Sequence, residues 1–138
     1  MEHKTKNIQK RYDGFLQTAC LWEDRDVFDM QQFKLPFKSS KINSKILEEP
    51  RLGRYVERFV SFELTQDASI EIISENIQIQ REKITIGELD CILLKNGKPI
   101  HLEIIYKFYL YDEIHSLIEL EKWIGPNRKD SFIQKFDK

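Results

Sequence analysis

Residues 86–110 read IGELDCILLKNGKPIHLEIIYKFYL. Leu89, Cys91 and Leu93 alternate with Glu88, Asp90 and Ile92; further on, Leu102, Ile104, Tyr106 and Phe108 alternate with Glu103, Ile105 and Lys107. A period of two marks a half-buried strand, so this stretch predicts two strands. Asn96-Gly97 between them is the strongest short hairpin signal, because both residues accept positive φ. With those two residues as the loop, Lys95 faces Lys98. Counting outward sets Leu93 opposite Ile100, Cys91 opposite Leu102 and Asp90 opposite Glu103. The last is a non-hydrogen-bonded pair, with Cβ atoms about 4.5–5.5 Å apart. A three-residue turn would move Asp90 to the oily face, and the apolar pattern opposes that slip.

Two facing carboxylates repel. Either they splay apart on a wet face, or a divalent cation sits between them. Hard cations such as magnesium take one or two protein carboxylates and fill the remaining positions with water. Lys107 lies four residues after Glu103, so on a strand it shares that face. A cationic donor beside a metal-bound water could orient a nucleophile or stabilise developing phosphoryl charge.

The 138 residues are long enough for one domain with a real core. No apolar run approaches a membrane span, and MEHKTKNIQKRY at residues 1–12 has no apolar stretch to serve as a signal peptide. The expectation is a cytoplasmic protein with no membrane partner. Cys20 and Cys91 are too few for a disulfide framework or a zinc site, and Cys91 reads as a buried free thiol. Charge is uneven. Residues 34–60 carry seven Lys/Arg and three Asp/Glu, residues 61–121 five and twelve, and residues 122–138 five and two. An acidic middle between basic flanks fits a metal site with phosphate-binding walls, or scattered surface charge.

In chain order, residues 1–12 read as a frayed or weakly helical start. Residues 12–22 follow with a helical stripe of Phe15, Leu16, Ala19 and Trp22. Phe28 to Phe37 read as an extended covering segment, and KSSKINSK at 38–45 as a polar linker. Residues 1–49 are therefore expected to cover a core formed by residues 50–138. That core opens with a helix after Pro50, with Leu52, Tyr55, Val56, Phe59 and Glu63 on one side. Glu57 stands at the flank of this stripe. It either reaches the carboxylate face of the sheet or pairs with Arg54 or Arg58. Ile70, Ile72 and Ile73 shift parity against Ile77 and Ile79, which predicts a bulge or bend near residues 74–76. QREK at 80–83 is a polar turn. The result is a helix, then a three-stranded antiparallel meander, in an α/β (α+β) arrangement. Residues 111–125 predict a short helix or ordered lid, and residues 128–138 a second helix with Phe132, Ile133 and Phe136 on its apolar side.

This order resembles the PD-(D/E)XK nuclease-like superfamily: a helix with an inward Glu, Asp on the second strand, Glu and Lys on the third, then a helix. LGRYVERF, GELDCIL, HLEIIYKFYL and WIGPNRKD, from about Leu52 to the end of the chain, look more narrowly like an uncharacterised bacterial domain-of-unknown-function family within it. The resemblance implies a restriction-endonuclease-like core and metal-dependent hydrolysis of phosphodiester bonds in DNA or RNA. Asp90 and Glu103 would hold Mg²⁺ or Mn²⁺. Glu57 would add a ligand or a water contact, and Lys107 would be the catalytic lysine. Two departures stand out. The superfamily's lysine usually follows the acid by two residues, where this chain has Ile105; Lys107 lies roughly 6–7 Å further along a strand. The superfamily core also has a fourth strand after its last helix, whereas this chain stops at Lys138. That end predicts a core truncated at its C-terminal side, and an open sheet edge that favours a homo-oligomer.

Lesser candidates are His101 on the Glu103 face, Glu88 one step outward from Asp90, and Gln134 and Lys135 as phosphate contacts on the last helix. No Gly-rich phosphate loop is present. Two further classes compete with a nuclease. One is a catalytically inactive nuclease-like module that binds nucleic acid or protein. The other is a structural domain whose carboxylates only face water.

Overall fold

The computed structural model describes residues 2–23, 26–36, 41–43, 46, 51–126, 128–129 and 131–133. Among them the elements run α1 (Glu2–Leu16), α2 (Leu52–Thr65), β1 (Ile70–Arg81), β2 (Ile84–Lys95), β3 (Lys98–Leu102), β4 (Leu110–Tyr111), a 3-10 turn at Glu119–Lys122, and β5 (Trp123–Ile124). The protein is α+β, with a three-stranded antiparallel sheet in the order β1-β2-β3. Two compact units divide the chain: Met1–Asp26 with Gln31–Ile104, and Val27–Met30 with Ile105–Lys138.

In the first unit, Asn96 and Gly97 take φ of 51° and 75° and form the two-residue loop. Lys95 faces Lys98, Leu93 faces Ile100 and Cys91 faces Leu102, the register obtained by counting. Cys91 and Leu93 are wholly buried. α2 buries Tyr55, Val56, Phe59, Val60, Phe62 and Leu64 on one stripe. α1 closes over the same stripe. The Tyr12 ring meets Phe59 and Phe62 edge-on at 5.4 and 5.8 Å, and Phe15 lies 5.5 Å from Phe59. Glu63 is wholly buried among these aromatic rings, and Tyr12 donates its hydroxyl to Glu63 Oε1. Burial, reinforced by that carboxylate, pushes the Tyr12 phenol well above its ordinary pKa.

Several expectations from the pattern need correction. The start expected to be frayed or weakly helical belongs to a regular helix, Glu2–Leu16. It closes where Gln17 and Thr18 turn back onto the carbonyls of Gly14 and Phe15, which leaves Ala19 and Trp22 outside it. The β1 irregularity lies at and just before the expected window. Register shifts between Ile72 and Ser74, so Ile73 is the extra residue, while Asn76 within the expected window takes φ of 53°. A second shift makes Ile86 the extra residue on β2. The third strand ends at Leu102, although its alternation runs on to Phe108.

In the second unit, β4 pairs with β5 and Tyr111 packs on Trp123 at 5.0 Å. That pairing, with Asp112 N–H donating to Lys122 O at 2.8 Å, closes residues 112–122 into a loop whose helical content is the 3-10 turn at Glu119–Lys122, in a segment expected to be a short helix or an ordered lid. Ile114 and Leu117 are fully exposed there, so their helical spacing does not mark a buried face. Nor does a helix begin at residue 128; residues 134–138 of the helix expected there lie outside the described residues. Arg128 takes φ of 54°, Ser131 bridges Ile124, and Phe132 N–H donates to Trp123 O at 2.9 Å. The backbone groups of Ser131 and Phe132 are engaged by β5. Ile124 and Phe132 are buried, with Tyr109 edge-on to Phe132 at 5.6 Å.

Candidate functional site

The register puts residue 104 opposite Leu89, whose carbonyl would accept the Ile104 N–H if β3 continued. That N–H instead donates to Asp90 Oδ2 at 2.7 Å. The side chain of Asp90 thus takes the place of a backbone acceptor and ends the ladder, which is the local reason for the stop at Leu102. Glu103 is held between two fixed points: Leu102, paired with Cys91, and Ile104, bonded to Asp90. Its carboxylate turns to His101, with Nε2 at 2.6 Å from Glu103 Oε1. Residues 101 and 103 therefore share a side, as expected from parity.

Each of the two central carboxylates has one oxygen engaged by a neighbouring donor. Asp90 Oδ1 and Glu103 Oε2 have no hydrogen-bond partner among the described residues. This is the form metal-ligating carboxylates usually take, one oxygen oriented by a donor and the other turned to the ion. Among the described residues, no group of three or more His, Cys, Asp or Glu side chains is arranged to hold a metal. The donor set here is two carboxylates, which suits a hard cation that keeps several waters.

Glu57 belongs to a second cluster. Arg54 Nη1 donates to Glu57 Oε2 at 3.0 Å and to Asn76 Oδ1 at 3.1 Å, and lies 4.0 Å from Glu88 Oε1. One guanidinium thus draws α2, β1 and β2 together. Of the two options for Glu57, the structure has the pairing with Arg54. The spacing Arg54-x-x-Glu57 already carried that option; the approach of Asn76 and Glu88 was not visible, because it depends on where the β1 irregularity falls. On the apolar side, Glu75 faces Cys91 across the ladder and accepts from Ser61 Oγ at 3.2 Å. Burial, with Glu75 and Asp90 nearby, pushes the Cys91 thiol up to about 11.

Lys107 lies in the second unit on backbone without regular structure. Strand parity therefore no longer places it on the face of Glu103. Gln134 and Lys135 lie outside the described residues.

A family model described as Domain of unknown function (DUF1853) matches residues 27–138. No curated protein and no solved structure matches. Among the described residues, no helix is long and apolar enough to cross a membrane.

Proposed function

This chain belongs to the DUF1853 family, and we propose that it is a metal-dependent nuclease of the PD-(D/E)XK type, hydrolysing phosphodiester bonds in DNA or RNA. The observation that carries this is the Asp90/Glu103 arrangement at the end of the β2–β3 hairpin: two carboxylates, each oriented by one donor and each with an open oxygen. Asp90 and Glu103 would hold Mg²⁺ or Mn²⁺. The ion would supply a water of lowered pKa and polarise a phosphoryl oxygen. The Ile104 N–H and His101 fix the two carboxylates in orientation. Glu57 is the proposed contributor from α2.

The test is a Mn²⁺ titration by calorimetry of the wild type against Asp90→Asn, with circular dichroism on both. Binding that disappears in a folded Asp90→Asn, followed by Mn²⁺-dependent cleavage of a mixed DNA and RNA substrate pool, is the expected result. Cleavage by Asp90→Asn at the wild-type rate would sink the proposal.

The second reading is an inactive nuclease-like module that binds nucleic acid or protein. It draws on the engagement of Glu57 by Arg54 and on Ile105 standing where the superfamily has its lysine. It predicts salt-sensitive nucleic-acid binding, or capture of a protein partner, with no metal-dependent products.

A further inference from the structure

We infer that the closed loop at residues 112–122, with the Tyr111/Trp123 pair at its base, is the surface through which two copies of this chain associate; the inference stands apart from the nuclease reading. Ile114 and Leu117 are 95% and 101% exposed, and Leu110, Tyr111, Ile118 and Trp123 add 65%, 36%, 55% and 39%. All six lie on β4, on β5 or in the loop between them, and the ends of that loop are tied by the β4–β5 pairing and by Asp112 N–H on Lys122 O. A single exposed apolar residue is ordinary, but a group of this kind marks an interaction surface. With on the order of 150 Å² per fully exposed large apolar side chain, these six leave roughly 600 Å² to solvent. Together with the polar atoms between them, that approaches the ~800 Å² per partner that a stable dimer covers.

The loop presents these side chains already fixed. Ile114 N–H donates to Asp112 Oδ1 at 3.2 Å and Ile118 N–H to Ser116 Oγ at 3.1 Å, while Ser116 Oγ donates to Glu121 Oε2 at 2.6 Å. A segment held by its own polar groups loses little conformational freedom on docking. The charges point to a second copy as the occupant. Tyr111 Oη and Lys122 Nζ both donate to Glu119, at 2.9 and 3.2 Å, and Arg128 Nη2 donates to Asp112 Oδ2 at 3.4 Å. Asp112, Glu119 and Glu121 are thus engaged within the same unit. A basic partner would find little unmatched charge to meet, and two copies of the loop would meet little repulsion. The chain's net charge of −1 adds little at long range. Ile and Leu against Ile and Leu is the match that a two-fold contact supplies, because each copy contributes the same patch.

Sedimentation velocity on the full chain, from low to hundreds of micromolar, tests this with wild type, Ile114→Ser, Leu117→Ser and Ile84→Ser, with melting curves on all four at low concentration. Wild type is expected to pass from monomer to dimer as concentration rises. Ile114→Ser and Leu117→Ser are each expected to raise the dissociation constant about tenfold, the size of truncating an interface anchor. Both side chains are fully exposed, so the melting curve of the monomer should not move. Ile84→Ser removes an isoleucine that is 68% exposed in the first unit, and is expected to leave the equilibrium unchanged. A wild type that stays monomeric at every concentration overturns the inference and leaves the patch to a different protein. A dimer that Ile114→Ser and Leu117→Ser leave intact overturns it as well, because association would then run through another surface. So does a dimer that Ile84→Ser weakens equally, which would mark general stickiness of exposed apolar groups.

Discussion

The sheet contains two hairpin turns of the same length and backbone sign, made from opposite kinds of residue. Asn96 and Gly97 join β2 to β3 at φ of 51° and 75°; Glu82 and Lys83 join β1 to β2 at φ of 49° and 68°. The first pair suits that conformation. In the second, two side-chain-bearing residues take a left-handed conformation that disfavours them. Their surroundings differ as much. Behind Asn96-Gly97 stand Leu93 and Cys91, both wholly buried, and Asn96 N–H donates to Ser69 O at 2.8 Å. Around Glu82-Lys83, residues 81–86 are all exposed. At the buried end, turn residues and core agree. At the exposed end, the turn is imposed by the twist of two twelve-residue strands paired along their length. A ladder can dictate a turn that its own residues would not choose.

The contrast predicts a graded series. The largest effect belongs to the buried end: Leu93→Ala should cost about 3 kcal/mol in urea unfolding, whereas Ile84→Ala near the exposed turn should cost under about 0.5 kcal/mol. Equal losses would show that the two ends are not energetically distinct. Placing Glu-Lys at 96–97 should cost about 2 kcal/mol, because two residues are forced into the left-handed region beside a packed core. Asp90→Ala removes the acceptor that ends the ladder. It should cost about 1.5 kcal/mol and speed hydrogen exchange at the Ile104 amide, while the Cys91 amide stays protected. The converse graft, Asn-Gly at 82–83, should stabilise by only about 1 kcal/mol, since an exposed turn can already relieve part of its strain. No gain would mean that the strands, and not the turn residues, carry all the conformational preference there.

At neutral pH the smallest effect is that of the Cys91 thiol. Its pKa is raised to about 11 in the folded chain, so its contribution is complete below the unfolded thiol's pKa and is lost as pH rises through the folded value. Stability should therefore fall with alkaline pH in the wild type and fall less in Cys91→Ala. Parallel pH curves for the two proteins would rule this out.

The same contrast explains what the pattern of residues could convey. The β2–β3 register was countable because Asn-Gly and the alternation around Cys91 and Leu93 point the same way. The stripe of α2 was equally plain, including Glu63 on its apolar side. The end of β3 was not, because alternation continues through Tyr106 and Phe108 while a side chain fourteen residues earlier takes the amide of Ile104. The partner of Glu63 was also out of reach, since Tyr12 is fifty-one residues away in sequence. Ile114 and Leu117 stand fully exposed, because helical spacing describes a pattern of apolar residues and does not guarantee that the face is covered.

The hydroxyl that Tyr12 gives to Glu63 also bears on where this protein can be cut. Tyr12 and Phe15 lie upstream of residue 27, where the family match begins, yet both pack on Phe59 at the centre of α2. A polypeptide trimmed to residues 27–138 would keep every matched residue and lose the lid over its own buried acid. The span that family comparison recognises and the span that shields its interior from water therefore have different lengths, and expression boundaries drawn from the first would unroof the second.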